Sequence, residues 1–381
     1  MPSIHKLQLT TFRNIAQEAL ELAPGVNLIA GENGSGKSSI LEAIYFLGLG
    51  RSFRNTQQTP LIQHGMRACS VFGELSDGIT LGASRSLDDA PKIRVQGEKA
   101  QSSAELAKHL PLQLLNAEAF RLLEGGPKTR RQYIDWGVFH VKHQFHNHWR
   151  EFQRSLQNRN ILLKRRAPEA ELAPWTQEFV RHAKEIDGSR SAYLSAFLPF
   201  LEQMLARLIQ VDELSLRYIR GWNEEEDISL VLEKGLQRDL SFGHTVAGPQ
   251  RADLKIRVGA ENACDILSRG QQKLLVSAMK LAQGAFLAQQ SGQQCLYLID
   301  DLPAELDKEN RVKVCSLLRE LGGQLFLTGT DQDELLEIIR RSNYELQECK
   351  LFHVKHGRIK SQDMPALQEP EKNKALYKSS T

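Results

Sequence analysis

Apolar positions along this 381-residue chain follow three different rhythms. Val26–Ala30 and Leu296–Ile299 are almost wholly apolar without alternation. Such short runs predict strands buried on both faces, as in a parallel sheet. Ser70–Leu75 and Ile79–Ser84 instead alternate with period two around Asp77-Gly78, which predicts a β-hairpin. Ser102 and Glu105 have capping-box spacing and predict a short helix. The third rhythm is helical. Over residues 130–166, Tyr133, Trp136, Val141, Phe145, Trp149 and Phe152 fall loosely on one side. From Trp175 to Ile209, one face collects Phe179, Ile186, Tyr193, Phe197, Leu201, Leu205 and Leu208. Ala167-Pro168 and Ala173-Pro174 mark a break between the two stretches, and Pro199 is a kink point in the second.

These rhythms divide the chain. Residues 1–124 read as a first α/β lobe and 125–210 as an inserted helical arm. Residues 211–360 read as a second lobe, which resumes with Leu214–Ile219, and 361–381 as a polar tail with nothing to bury. Two helices of about 35 residues would each reach roughly 50 Å and form an antiparallel arm. The expected fold class is α/β, and no internal repeat is present.

Composition sharpens this only in part. With 41% hydrophobic and 25% charged residues, the chain is expected to be globular. No apolar stretch approaches the roughly 20 residues that span a bilayer. The start, MPSIHKLQLTTFRN, mixes charge into its apolar residues and does not read as a secretory signal. Five scattered cysteines without a CxxC pair fit reduced thiols in a cytoplasmic protein. The net charge is only +3, but eleven Lys/Arg face three acids between Arg121 and Arg166. That stretch carries +8 and the remainder −5, so an anionic partner is expected at the arm. Arg130, Arg131, Lys164, Arg165 and Arg166 are the candidate contacts with that anion. His140, His143, His146 and His148 cluster in the same segment without a carboxylate or cysteine to complete a metal site.

The chemistry is carried by three short segments. Between Val26–Ala30 and Ile40–Leu47 lies GENGSGKSS, residues Gly31, Glu32, Asn33, Gly34, Ser35, Gly36, Lys37, Ser38 and Ser39. Gly31-x-x-x-x-Gly36-Lys37-Ser38 is the P-loop spacing, preceded by a strand and followed by a helix. Its amides and the helix N-terminus cradle phosphates, Lys37 reaches the β- and γ-phosphates, and Ser38 ligates Mg²⁺. Asp300 and Asp301 follow the buried strand Leu296–Ile299, at the end where open α/β sheets bind ligands. Asp300 is the expected metal acid, and Asp301 the group that polarises the attacking water. LSRGQQKLL, residues 267–275, opens a helical pattern. It resembles the signature loop of ATP-binding-cassette ATPases, with Arg269 where transporters usually carry glycine. Ser268, Gly270 and Gln271 would then form a second anion site, closing over nucleotide held by another copy.

Four further segments narrow the resemblance: Phe12-Arg13-Asn14, GGPKTRRQYIDW from Gly125, GPQRADL from Gly248, and the acidic IDD…ELD segment ending at Asp307. Together they resemble the RecF family of bacterial recombination and repair ATPases, over nearly the whole chain. The resemblance implies an ABC/SMC-type head with an arm far shorter than SMC coiled coils. It implies that Arg13 approaches the phosphates, that Asp307 lies in a loop crossing a dimer interface, and that Gln113 links metal to the second lobe. Thr328 or Thr330 falls where transporters carry a switch histidine, and Asp301 stands where glutamate is usual, so slow hydrolysis is expected. The implied ligands are ATP and Mg²⁺. The implied partners are a second copy of the chain, duplex DNA near single-strand gaps, and RecR and RecO, with loading of RecA as the outcome. GPQRADL and head lysines rival the arm as the DNA surface. Two other classes share parts of the pattern: a transporter's nucleotide-binding subunit, and a scaffold that holds ATP without turning it over.

Overall fold

The computed structural model describes residues 3–54, 61–362 and 364. The polar tail therefore lies almost entirely outside the described residues. A six-stranded sheet runs in the order Arg358–Gln362, Cys349–Lys355, Val26–Ala30, Leu325–Gly329, Leu296–Ile299 and Leu112–Leu115. All its pairings are parallel except the hairpin at the Arg358–Gln362 edge. Both predicted all-apolar strands are here, and both are fully buried. Their successive side chains enter opposite cores, as a period-two strand requires. Tyr297 and Ile299 join one hydrophobic cluster, while Leu296 and Leu298 join the other.

The second layer is an antiparallel sheet of Ile15–Glu21, Ile4–Phe12, Ala68–Leu75, Thr80–Ser86, Lys92–Val95 and Glu98–Lys99. It contains the predicted hairpin, with Phe72 opposite Gly82. The P-loop helix, Lys37–Leu49, shares a core with both sheets through Ile40, Leu41, Ile44, Phe46 and Leu47. The helix Ser103–His109 forms as expected, but Ser102 makes no side-chain cap bond. Glu105 instead accepts from the Gln101 amide at 2.7 Å, so the predicted box is not closed.

The arm differs from two equal helices. Its first part is two helices, Pro127–Val141 and Phe145–Lys164, and its second is one 40-residue helix, Glu169–Leu208. At 1.5 Å per residue that helix is about 60 Å long. Pro168 caps it, but Pro174 and Pro199 both lie inside it. The expected break at Ala173-Pro174 is therefore absent. Tertiary packing overrides the local penalty, because Leu172, Phe179, Ile186 and Tyr193 along this helix are all buried. Much of the arm is laid against the second lobe. Tyr193 stacks on Phe197 with centroids 5.2 Å apart, and both meet Phe286 of the helix Arg269–Ser291. The Tyr133 hydroxyl donates to the Met279 carbonyl at 2.8 Å. The aromatic residues expected on one side are mostly core: Phe152 meets Phe179 at 5.0 Å, whereas Trp149 remains exposed.

At the far end of the arm, Arg159 is 1% exposed. It donates to Asp239 at 2.8 Å, to Thr245 at 2.5 Å and to Thr176 at 3.1 Å. Asp239 is equally buried, so removing either partner leaves an uncompensated charge in the interior. Arg159→Met or Asp239→Ala alone is expected to lower unfolding free energy by about 3–5 kcal/mol in urea titration. The double variant is expected to lose less than the sum of the two.

Candidate functional site

The carboxyl ends of the parallel strands open into a cleft of about 940 Å³, lined by Asn33, Gly34, Gly36, Lys37, Ser38, Ser39, Asp300 and Asp301 among others. Gly36 has φ +122°, and a Cβ there would come within 2.9 Å of Asn14. A Cβ on Gly31 would meet the Val354 carbonyl at 2.3 Å. The loop is thus packed from behind by backbone that only glycine admits. Asn14 clamps it further: its Nδ2 donates to the Ser35 carbonyl at 3.0 Å, and its Oδ1 accepts from Ser39 Oγ at 3.0 Å. The Ser35 amide closes the turn on the Glu32 carbonyl at 3.2 Å, and the Ser35 hydroxyl is buried without a partner.

Lys37 is 7% exposed. Its ammonium donates to the Gly31 carbonyl at 2.6 Å and the Glu32 carbonyl at 3.0 Å. It forms no ion pair among the described residues. Burial pushes its pKa down, opposed by the charges of Asp301 and Asp300. Ser38 Oγ donates to Asp300 Oδ1 at 2.9 Å, so both expected metal ligands converge. Two hard oxygens beside a phosphate cradle fit Mg²⁺, which takes few protein ligands and keeps water or phosphate on its other positions.

The strand Leu325–Gly329 lies between the P-loop strand and the acidic strand. Its fully buried Thr328 fixes both acids. Thr328 Oγ1 donates to Asp300 Oδ1 at 3.0 Å and accepts from the Asp301 amide at 2.8 Å. Asp301 sits in the left-handed region at φ +55°. Desolvation raises its pKa, Lys37 opposes this, and Asp300 adds to it. Its carboxylate therefore takes up a proton at higher pH than an ordinary aspartate. Thr330, by contrast, is exposed at the strand end.

Arg13 occupies the turn of the first hairpin, between Phe12 and Ile15, and lines the cleft. Gln113 does not. It points into the interior at 3% exposure, with Nε2 on Gln283 at 3.2 Å and Oε1 accepting from Lys280 at 3.3 Å. Asn116, beyond the end of the same strand, reaches the cleft with Ala117 and Glu118. Gln113 faces the core because its register position alternates with residues directed elsewhere. The rule that ligands sit beyond the carboxyl ends of strands would have selected Asn116.

Ser268, Gly270, Gln271 and Asp307 are not among the described residues that line the cleft. Ser268 caps the helix Arg269–Ser291 in a closed capping box with Gln271, exposed to solvent. Arg269 pairs with Glu124. Asp307 caps the helix Lys308–Leu321, accepting from the Asn310 amide at 3.0 Å.

Two of the candidate DNA contacts need correcting. Arg130 forks onto Asp253 at 2.7 and 3.1 Å and also donates to the Gly125 carbonyl. Arg131 donates to the Ala252 carbonyl at 2.7 Å. Arg190 completes the staple, forking onto Asp135 at 2.8 and 2.9 Å and donating to the Pro249 carbonyl. These arginines join the GGPKTRRQYIDW helix to GPQRADL; Arg130 and Arg190 engage all three guanidinium nitrogens internally, while half-buried Arg131 is tied through Nη1. Lys164, Arg165 and Arg166 are exposed at the end of their helix, with Arg165 beside Glu171 at 2.6 Å. The histidines separate: His140 is buried beside Trp136, its pKa pushed down to about 3 by burial, and His148 meets His182 at 3.1 Å.

The layered head, P-loop, acidic strand and outward-facing signature helix define an ABC/SMC-type ATPase head. The chain matches the RecF/RecN/SMC N terminal domain family over residues 3–348. It is 47% identical to the DNA replication and repair protein RecF of Pseudomonas fluorescens strain SBW25, covering 94% of this chain and 98% of that one. The like-named protein of Pseudomonas entomophila strain L48 is 46% identical with the same coverage. Among solved structures, the recombination mediator protein RecF-ATP in the RecFOR pathway aligns with TM-score 0.83 and 25% identity, over 95% of this chain and 98% of that chain. The Smc head of Pyrococcus furiosus shares the fold, with TM-score 0.57 and 19% identity over 95% and 97%. The chain belongs to the RecF family.

No helix among the described residues is long and apolar enough to cross a membrane. The geometry separates the roles of two neighbouring polar residues. Asn116→Ala is expected to weaken nucleotide affinity several-fold in isothermal titration, whereas Gln113→Ala is expected to leave affinity unchanged and lower thermal stability.

Proposed function

We propose that this chain is an ATP-dependent DNA-binding protein of recombinational repair and replication-fork maintenance, with slow ATP hydrolysis acting as a switch. The observation that carries the nucleotide reading is the buried Lys37 ammonium, bonded only to carbonyls at the mouth of a helix N-terminus. A desolvated cation without a carboxylate partner favours an anion beside it. Ser38 and Asp300 would hold Mg²⁺, which neutralises phosphate charge when bound. Lys37 binds the β- and γ-phosphates, the loop amides orient them, and Asp301 orients and deprotonates the attacking water. Aspartate is one methylene shorter than the usual glutamate, and its raised pKa lowers its ionised fraction under mildly acidic conditions.

ATP held by one copy is capped by Ser268 and the exposed helix N-terminus of a second copy. A homodimer clamp on duplex DNA follows, and hydrolysis releases it. Swinging such an equilibrium from mostly open to mostly closed takes about 5.5 kcal/mol of differential binding. Several charge-assisted bonds of about 1.5–3 kcal/mol each supply that. Lys164, Arg165 and Arg166 remain the arm's candidate phosphate contacts, and salt-dependent, sequence-tolerant affinity is expected. The relatives named for DNA replication and repair, and the solved RecF of the RecFOR pathway, support DNA with RecR and RecO as partners; single-strand gaps as the DNA target and RecA loading as the outcome belong to the same reading. A cytoplasmic, nucleoid-associated location goes with this reading.

Phosphate release with and without gapped DNA tests the switch. Slow turnover, stimulated by DNA and abolished by Lys37→Met, is expected; none under either condition would leave a nucleotide-holding scaffold. Ser268→Arg is expected to retain ATP on a monomer in sedimentation, and normal ATP-dependent pairing by this variant would refute the capping across copies.

A further inference from the structure

The P-loop helix carries one acid in its otherwise apolar middle, Glu42, and it is 0% exposed. Both of its carboxylate oxygens are engaged. Arg13 donates through Nε at 2.8 Å and Nη2 at 2.7 Å, and Ser52 Oγ donates at 2.5 Å. Arg13 sits in the left-handed region at φ +55°, its amide held by the Leu61 carbonyl at 2.8 Å. A non-glycine residue keeps that conformation only when its surroundings over-determine it. Arg13 is itself mostly buried and lines the cleft beside Lys37 and Ser38. An arginine left free would lose rotamer entropy each time it met an anion. The two-point fork removes that cost beforehand.

We propose that Glu42 is a positioning residue that presets the Arg13 guanidinium as a nucleotide contact in the cleft. This rests on the ATP-binding reading above. The fork spends Nε and one terminal nitrogen on Glu42 and leaves the guanidinium cationic for phosphate. Because Glu42 stands one helical turn beyond Ser38, movement of the P-loop helix and of Arg13 is coupled.

Isothermal titration of Mg-ATP against the full chain tests this, with thermal unfolding recorded for each variant. Glu42→Gln, which keeps the shape but breaks the charged fork, is expected to weaken ATP binding about tenfold. In an Arg13→Ala background the same change is expected to cost less than about twofold, since the coupling is then gone. A purely structural acid would instead lower the unfolding temperature in both backgrounds while the two affinity losses multiplied, and that result overturns the proposal. If Glu42→Gln does not fold, Arg13→Lys decides: it keeps the charge without the fork, so affinity should fall about tenfold. ATP binding by Arg13→Lys equal to that of the unaltered chain overturns the proposal. Failure of the unaltered chain to bind ATP overturns the nucleotide reading as well, so the two failures are distinguishable.

Discussion

A buried cation with no ion-pair partner among the described residues is the constraint on which this molecule turns. Lys37 stands at the first turn of a helix, desolvated, with two backbone carbonyls for company. Everything around it limits how that charge can be satisfied. The glycines of the loop bring amides rather than side chains to the same point. The two aspartates of the neighbouring strand are near enough to act on it electrostatically but form no ion pair with it. A pair of oxygens suited to a hard cation, on Ser38 and Asp300, stands beside it.

The sheet order makes this arrangement stiff. The P-loop strand and the acidic strand are not neighbours; Leu325–Gly329 separates them. Its Thr328 reaches sideways to the acids, and Asp300 in turn reaches Ser38 on the P-loop helix. A continuous line of hydrogen bonds therefore crosses three elements at the strand ends. The helical arm is fastened by a different principle. The Arg130–Asp253 fork, the Arg190 bond to the Pro249 carbonyl and the Arg159–Asp239 pair hold it to residues of the second lobe, and the Arg190–Asp135 fork ties its own helices together. Such pairs contribute little net stability but punish misplacement heavily, which suits a surface that must keep one orientation relative to the head.

Positive charge is consequently a poor guide to function in this segment. Of the basic residues between Arg121 and Arg166, Arg130 and Arg159 are consumed by internal partners, and Arg131 is tied to one carbonyl. Those at the end of Phe145–Lys164 stay in solvent. Linear charge density counts both kinds equally, because the partners Asp239 and Asp253 lie about 80 and 120 residues further along the chain.

The amino-acid order alone determined what depends on neighbouring residues. The P-loop, the two doubly buried strands, the hairpin around Asp77-Gly78 and the position of the acids at a strand end all rest on spacings of a few residues. Glu42 was not singled out by any local pattern, and its meaning required Arg13 and Ser52. Tertiary structure alone decided which side of its strand Gln113 faces, that Thr328 and not Thr330 holds the acids, that Pro174 is carried inside a long helix, and which arginines are spent. Each of these turns on contacts between residues far apart in the chain. Such contacts are set by how whole layers pack, and no local pattern encodes the register of that packing.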